Sequence, residues 1–265
     1  MKTERLLLSC FLAAFLFFNA RAQVDTIKLK DKRLNTSYLK PGINQYLVFY
    51  QLFKNPKKMV FTYWVRDLKK TSRNGQDVFT INQHWWGDDS TSYYKIYSVN
   101  RVSDFAPLFH SETDLDTTSA YNWYEDKITG ADTAHNNPKK GFSLNFTTPN
   151  FNWNLDIETF ELLPLAAGKT FAINFYDAGL EPPRYVIYKV IGDETVATLD
   201  NHNVDCWKLR TEGLLNGHPY TETYWIAKKS HEFLKEEDAY ASGYRYKIKM
   251  PAGTPDIVSR YTHLP

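Results

Sequence analysis

The chain has 265 residues, a formal net charge of +2 and an aromatic content of 16%. With so little net charge the chain is not expected to bind nucleic acid, because phosphate binding needs clustered positive charge. After residue 22 the chain contains a single cysteine, Cys206, which excludes an internal disulfide, so packing must supply the stability of a domain this large.

The first 22 residues have the pattern of a secretory signal peptide. Two basic residues precede an apolar run from residue 6 to residue 18, and the small residues Ala20 and Ala22 provide a cleavage site. The run is too short to span a bilayer, and Cys10 lies inside it, whereas a lipidated cysteine follows such a run. We therefore predict one exported β domain over residues 23–265, with no transmembrane segment and no net charge after cleavage.

Runs of aromatic and β-branched residues, separated by turn-forming residues, predict strands in the first half of the mature chain. Residues 45–53 and 59–66 form a candidate hairpin, and residues 77–85 and 93–102 form a second pair. Shorter strands are predicted at 107–110 and 121–128, separated by an acidic loop at 112–118.

One short helix is predicted near residues 156–163. Ile157, Phe160 and Leu163 recur there at helical spacing, and Pro164 ends the pattern.

The second half has the pattern of an antiparallel meander. Tyr244 to Met250 alternates apolar and basic residues, which predicts one buried and one solvated face. The regular spacing of strands and turns predicts a mainly β fold. The predicted strands are 170–176, 184–191, 194–199, 204–211, 220–227, 232–236 and 244–250.

Four segments, found in order in residues 150–250, carry a family resemblance. They are Leu162–Gly168, Tyr188–Glu194, Asp205–Leu209 and Tyr224–Lys229. This series resembles the DUF3108 family of exported bacterial proteins. The resemblance implies a curved antiparallel sheet that forms a half-barrel or open barrel, similar to that of the Lol-type periplasmic lipoprotein carriers.

The resemblance also implies a location in the periplasm or at the outer membrane of a Gram-negative bacterium. It implies no catalytic residues. It assigns Gly192 to a turn, Trp207 and Trp225 to the core, and Tyr244 and Tyr246 to one face of the sheet.

The most distinctive local feature is His84-Trp85-Trp86-Gly87-Asp88-Asp89, which is followed closely by Tyr93-Tyr94. Adjacent residues of a strand point to opposite faces, so one tryptophan can be buried while the other contacts a ligand. The alternative is that both are packed under loops. We predict an apolar or sugar-binding surface formed by Trp85, Trp86, Tyr93, Tyr94 and Trp123.

No motif for catalysis or metal binding was found. The chain lacks a Gly-x-Ser-x-Gly elbow, and His231-Glu232 lacks the second histidine of a zinc protease motif. Asp200, His202 and Asp205 are ordinary turn residues as well as metal ligands. We therefore predict no catalytic residue, no cofactor and no metal.

We interpret the chain as a non-enzymatic protein of the cell envelope that binds an apolar ligand, such as a lipid or acyl chain, in a curved sheet. One alternative is a structural or interaction module that binds another envelope protein. A second alternative is a carbohydrate-binding protein. We expect a monomer.

Overall fold

A computed structural model describes residues 23–256, so the predicted signal peptide lies outside the described residues. All sixteen described strands belong to one sheet. The first meander consists of β2 (Gly42–Leu52), β3 (Met59–Arg73), β4 (Gln76–Trp86), β5 (Tyr94–Arg101), β6 (Pro107–Asp114), β7 (Thr117–Trp123), β8 (Lys127–Gly130) and β9 (Ser143–Asn145).

The second meander follows a short helix, α1 (Asp156–Glu161). Two short strands, β1 (Val24–Ile27) and β10 (Phe151–Asn152), pair in parallel with its first strand. Its strands are β11 (Thr170–Tyr176), β12 (Arg184–Ala197), β13 (Asn203–Leu215), β14 (His218–Ala227), β15 (Phe233–Tyr240) and β16 (Gly243–Lys249).

The two meanders are joined by antiparallel pairing of β16, the last strand, with β2. In the described residues the sheet stays open, with β1 and β10 at one edge and β9 at the other. The predicted mainly β fold with an open curved sheet is therefore confirmed. The antiparallel order places the β2–β3, β4–β5 and β15–β16 connections at one end of the sheet, called here the 53–58 rim. The β12–β13 and β14–β15 connections lie at the opposite end, the 198–202 rim.

Three of the predicted strand boundaries were wrong. The acidic segment 112–118 is not a loop, because β6 and β7 pair through it and turn only at residues 115–116, where Leu115 has a φ of 50°. The predicted strand 121–128 is broken by a turn between β7 and β8. Residues 184–197 form one strand whose register shifts at Gly192, a position with a φ of 144°. A bulge therefore occupies the place where a turn was predicted.

Helix α1 lies inside the curve of the sheet and is confirmed near its predicted position. Ile157, Phe160 and Leu163 are buried, as their spacing indicated. The Phe160 ring lies 4.7 Å from the rings of both Tyr188 and Tyr224, so aromatic side chains from the helix and from two strands meet at the centre. We call the side of the sheet that faces α1 the inner face, and the opposite side the outer face.

The inner face also holds buried charges beside the helix. The Arg66 guanidinium on β3 donates to the Glu158 carboxylate of α1 and lies 3.7 Å from Asp156. Lys247 and Arg245 of β16 both donate to the Glu236 carboxylate of β15. Burial raises the pKa of the Glu236 carboxyl, but these two cations outweigh burial and hold the pKa below its ordinary value.

The side chains of strand β16 alternate between the two faces of the sheet. Its basic residues point inward, with Lys247 only 2% exposed, while Tyr244 and Tyr246 lie on the outer face, with Tyr244 39% exposed. The alternation predicted one buried and one solvated face, and the buried face is the one that carries the basic residues. The cause is the facing strand β15, whose buried Glu236 and Asp238 neutralise the cations.

A smaller apolar cluster covers part of the outer face near the 198–202 rim. Cys206, Trp225, Ala227 and Leu234 form its buried centre, and Val196 packs against it. Trp225 therefore belongs to a core, as the resemblance implied, although this core is separate from the one around α1. Burial raises the pKa of the Cys206 thiol to about 12.

Candidate functional site

The five predicted ligand-binding residues do not form one surface. Trp85 and Tyr94 lie on the inner face, where their rings are 5.3 Å apart. Trp86 and Tyr93 lie together on the outer face, with ring centroids 5.7 Å apart. Trp123 is buried in a separate inner cluster at the end of β7. The adjacent tryptophans thus divide between the two faces, as strand geometry requires.

The inner tryptophan already has a protein partner on its ring face. Trp85 stacks on Trp64 with centroids 4.0 Å apart and an interplanar angle of 7°. One face of its ring is therefore covered by the core. This arrangement leaves little aromatic surface for a sugar.

The outer pair is organised by a histidine. His84 Nδ1 lies 2.6 Å from the Tyr93 hydroxyl, and its ring lies 5.4 Å from that of Trp86. Burial lowers the pKa of the His84 imidazole. These three half-buried side chains form an aromatic surface at the 53–58 rim of β4.

Sequence reasoning missed a polar cluster on the inner face beside Tyr94. The Tyr94 hydroxyl donates to Glu112 on β6, and the Asn154 side-chain amide lies 3.0 Å from Glu112 Oε1 and 3.2 Å from Asp177 Oδ1. These residues come from distant parts of the chain, so no local motif links them. The sequence signal that could have indicated part of this cluster is the two-residue spacing of His110 and Glu112, which places both on one face of β6.

The two carboxyl groups of this cluster have displaced pKa values. Burial raises the pKa of Asp177 to about 6, with a further contribution from Glu112. Burial also raises the pKa of Glu112, but hydrogen bonds from His110, Tyr94 and Asn154 outweigh it and lower the pKa overall. A pair of carboxyl groups with separated pKa values is a feature of acid–base sites and of buried structural networks alike.

His110 connects this cluster to a buried serine. Its Nε2 lies 2.8 Å from Glu112 Oε1, and its Nδ1 lies 3.0 Å from Ser98 Oγ and 2.9 Å from the Asn152 amide. The order serine, histidine, carboxylate is that of a hydrolase triad. However, Ser98 and His110 are both fully buried, so the hydroxyl has no path to a substrate. The arrangement holds β5, β6 and β10 together.

A groove of about 370 Å³ opens on the outer face at the 198–202 rim. It lies between the tip of the β12–β13 hairpin and the ends of β2, β15 and β16. The bulge at Gly192 bends this hairpin, and bulges of this kind increase the local twist of a strand. Its apolar lining includes Ile43, Val196, Leu199, Val204, Leu234 and Ile248.

The rim of this groove carries charge. Lys249 donates to Glu232, and Lys235 Nζ lies 2.8 Å from Glu237 and 4.1 Å from the centroid of the Trp225 ring. His202 is largely exposed, and its Nδ1 lies 3.5 Å from Asp200. The groove therefore offers an apolar floor bordered by polar groups, which is the composition of small-molecule sites in general.

Residues 23–256 contain neither a metal-binding cluster nor a membrane-spanning helix. No group of three or more histidine, cysteine or acidic side chains is arranged to hold a metal ion, and Asp205 instead accepts a hydrogen bond from Thr195. No helix in this part of the chain has the length and apolar character needed to cross a bilayer.

This chain is similar to a solved structure and to a protein family. No curated protein matches the chain. The crystal structure of a beta-barrel-like protein of the domain of unknown function DUF1849 from Brucella abortus is similar, with a TM-score of 0.52. It is 10% identical in sequence, and the match covers 80% of this chain and 96% of that one, so the likeness concerns the fold. The family described as protein of unknown function (DUF3108) matches residues 45–250. The resemblance noted from four short segments is thereby confirmed, and the chain belongs to the DUF3108 family.

Proposed function

We propose that this protein is a non-enzymatic binding protein that holds the apolar part of a small amphipathic molecule, such as an acyl chain, in its outer groove. The observation that carries the proposal is the groove itself, with its volume of about 370 Å³ and its floor of aliphatic side chains. This volume falls within the range of about 300–1,000 Å³ for ligand pockets.

The outer groove is a better candidate than the inner face of the sheet. On the inner face, α1 and aromatic rings fill the centre, and buried ion pairs line the wall beside them. An acyl chain there would have to displace packed side chains and separate paired charges, at a large cost in free energy. In the outer groove it would instead cover exposed apolar residues, such as Ile43 at 41% and Leu199 at 55% exposure.

A polar head group would lie at the groove rim. Lys249, Glu232 and His202 border the aliphatic floor. Lys249 and His202 can donate hydrogen bonds to a carboxylate or hydroxyl group, and Glu232 can accept one from a hydroxyl group. The proposal includes the export and envelope location inferred from the leader, and a monomeric state. It assigns no catalytic role, since the Ser98 hydroxyl and the His110 imidazole are both buried.

The test is a titration with parinaric acid, a fluorescent fatty acid, below its micelle concentration. We expect saturable binding to the native protein. Leu199→Trp enlarges an exposed side chain that lines the groove, and it should weaken binding at least about tenfold, which corresponds to ~1.4 kcal/mol.

The matched control is Leu214→Trp, which adds the same ring to an exposed site at the opposite rim and should leave binding unchanged. The proposal fails if the native protein shows no saturable binding. It also fails if both tryptophan variants bind as well as the native protein does.

A further inference from the structure

The outer face of β16, β2 and β3 carries an exposed row of aromatic rings near the 53–58 rim. Phe53 packs edge to face against Tyr244 at 5.3 Å, and Tyr246 stacks on Phe49 at 4.8 Å. Phe61 continues the row at 6.1 Å from Phe49. We call these five residues the outer aromatic patch.

The rings of the outer aromatic patch are unusually exposed to water for large apolar side chains. Phe53 is 52% exposed, Phe61 48% and Tyr244 39%. Large apolar side chains gathered in one exposed place usually mark an interaction surface, whereas single exposed ones do not. The inward orientation of the basic residues of β16 is what leaves its tyrosines on this side.

Three lysines flank the patch in the turn between β2 and β3. Lys54, Lys57 and Lys58 are exposed, and none of them forms an ion pair with an acidic residue between positions 23 and 256. The nearest acidic side chain on the patch face is Glu237, beside Tyr246, and Lys235 pairs with it at 2.8 Å. The patch is therefore bordered by unneutralised positive charge.

Beyond β4, the same rim also carries two acidic residues. Asp88 and Asp89 lie in the β4–β5 connection, beyond the surface formed by His84, Trp86 and Tyr93.

We propose that the outer aromatic patch and its turn lysines dock the protein onto the surface of a bilayer that contains anionic lipids. Tyrosine rings lie at the level of the head groups, where their apolar body and polar tip are both accommodated, and phenylalanine rings insert beside them as apolar anchors. Each lysine near such a surface adds to the attraction towards anionic lipids.

A lipid surface fits these residues better than a protein partner does. Protein interfaces are enriched in aromatic residues but depleted in lysine, whereas interfacial membrane anchors combine both. The patch is also at the opposite end of the sheet from the outer groove. Docking through it would leave that groove free, so this inference does not depend on the proposed ligand.

The experiment measures co-sedimentation of the protein, isolated from the cells that produce and process it, with vesicles of two compositions. One is pure phosphatidylcholine, and the other contains one third phosphatidylglycerol. We expect binding to the anionic vesicles that is at least about tenfold stronger and that falls as salt is added, because screening weakens the lysine contribution.

Two variants separate the apolar and the charged contributions. Phe53→Ser with Phe61→Ser removes exposed rings, and Lys54→Glu with Lys57→Glu and Lys58→Glu reverses the charge of the turn. Each should weaken binding to anionic vesicles at least about tenfold. All substituted positions are exposed, so the thermal unfolding transition should stay that of the native protein.

The matched control replaces the exposed pair Leu214 and Leu215 by serine, at the end of β13 beside another turn at the same rim that has no lysine. It should bind as the native protein does, and so should the groove variant Leu199→Trp. Equal binding to both vesicle types overturns the proposal, as does native-like binding by the aromatic and lysine variants. Failure of all forms to sediment with vesicles overturns it too.

Discussion

The guanidinium of Arg66 on β3 donates a hydrogen bond to the carboxylate of Glu158 in the middle of α1, and both side chains are buried. This contact joins a strand of the first meander to the helix that precedes the second. It fixes where the helix lies along the inner face. A short helix of this kind depends on tertiary contacts for its stability.

Arg66→Met should lower the free energy of unfolding by about 3–5 kcal/mol, because it leaves the Glu158 carboxylate buried without its cation. The double variant Arg66→Met with Glu158→Met should recover much of that loss. Urea unfolding followed by tryptophan fluorescence measures both. Lys70→Met, which removes an exposed pair with Asp77, should change stability by less than ~1 kcal/mol. Equal losses of stability for Arg66→Met and Lys70→Met would contradict this account.

Glu161 should make the protein less stable as pH rises from 4.5 to 8. Burial raises the pKa of its carboxyl from 4.5 to about 8, so between these values the folded state holds a proton that the unfolded state has released. Stability then falls with pH, by up to about 1.4 kcal/mol per unit from this group. Below 4.5 both states are protonated, and the group contributes no pH dependence.

Glu161→Gln tests this directly, since the amide oxygen can still accept the hydrogen bond from the Phe233 backbone. The variant should melt at a higher temperature than the native protein at pH 8 and at nearly the same temperature at pH 4.5. Glu181→Gln changes an exposed carboxyl and serves as the control. Parallel pH profiles for the native protein and Glu161→Gln would disprove the assignment.

Cys206 should resist alkylation in the native protein. Its thiol is buried, and burial raises its pKa to about 12, so almost no reactive thiolate forms at pH 8. Iodoacetamide labelling followed by peptide mass spectrometry should show Cys206 unmodified until denaturant is added. Ser242→Cys, in the exposed turn between β15 and β16, should be labelled quickly under the same conditions. Similar labelling rates at both positions would be incompatible with a buried thiol.

Gly243 should tolerate no side chain at the join between the two meanders. It has a φ of 152°, and a Cβ atom there would lie 2.1 Å from the Gln51 carbonyl oxygen. Gly243→Ala should therefore cost at least about 1–3 kcal/mol of stability. Gly253→Ala has open space around it and should be neutral. Thermal melting of the two variants makes the comparison, and a native-like melt for Gly243→Ala would refute the predicted clash.

Local patterns predicted most of the strands and the helix because these depend on neighbouring residues. The spacing of Ile157, Phe160 and Leu163 identified α1, and turn residues located most of the hairpins. The orientation of β16 could not be predicted in this way. The face of β16 that carries Arg245 and Lys247 is buried because Glu236 and Asp238 of the adjacent strand pair with these cations.

The candidate sites were predictable only in part. Adjacent tryptophans at positions 85 and 86 pointed to opposite faces, but the sequence could not show that Trp64 covers the inner one. The outer groove brings together Ile43, Val196 and Ile248, which are far apart in the chain. Its existence depends on how far the hairpin bends at Gly192, and a single glycine indicates a bulge without giving the angle.

The pairing of β16 with β2 also has a consequence for how the chain reaches its native state. Residues 47 and 248 are register partners, so this ladder joins segments about as distant as the sheet allows. While synthesis is unfinished, β2 has no partner on that side, and an uncovered strand edge is prone to pair with other chains. Contacts of such high sequence separation also slow folding. A chain that lacks its last strand would therefore consist of two half-sheets with open edges, and we expect it to aggregate even though every earlier strand is present.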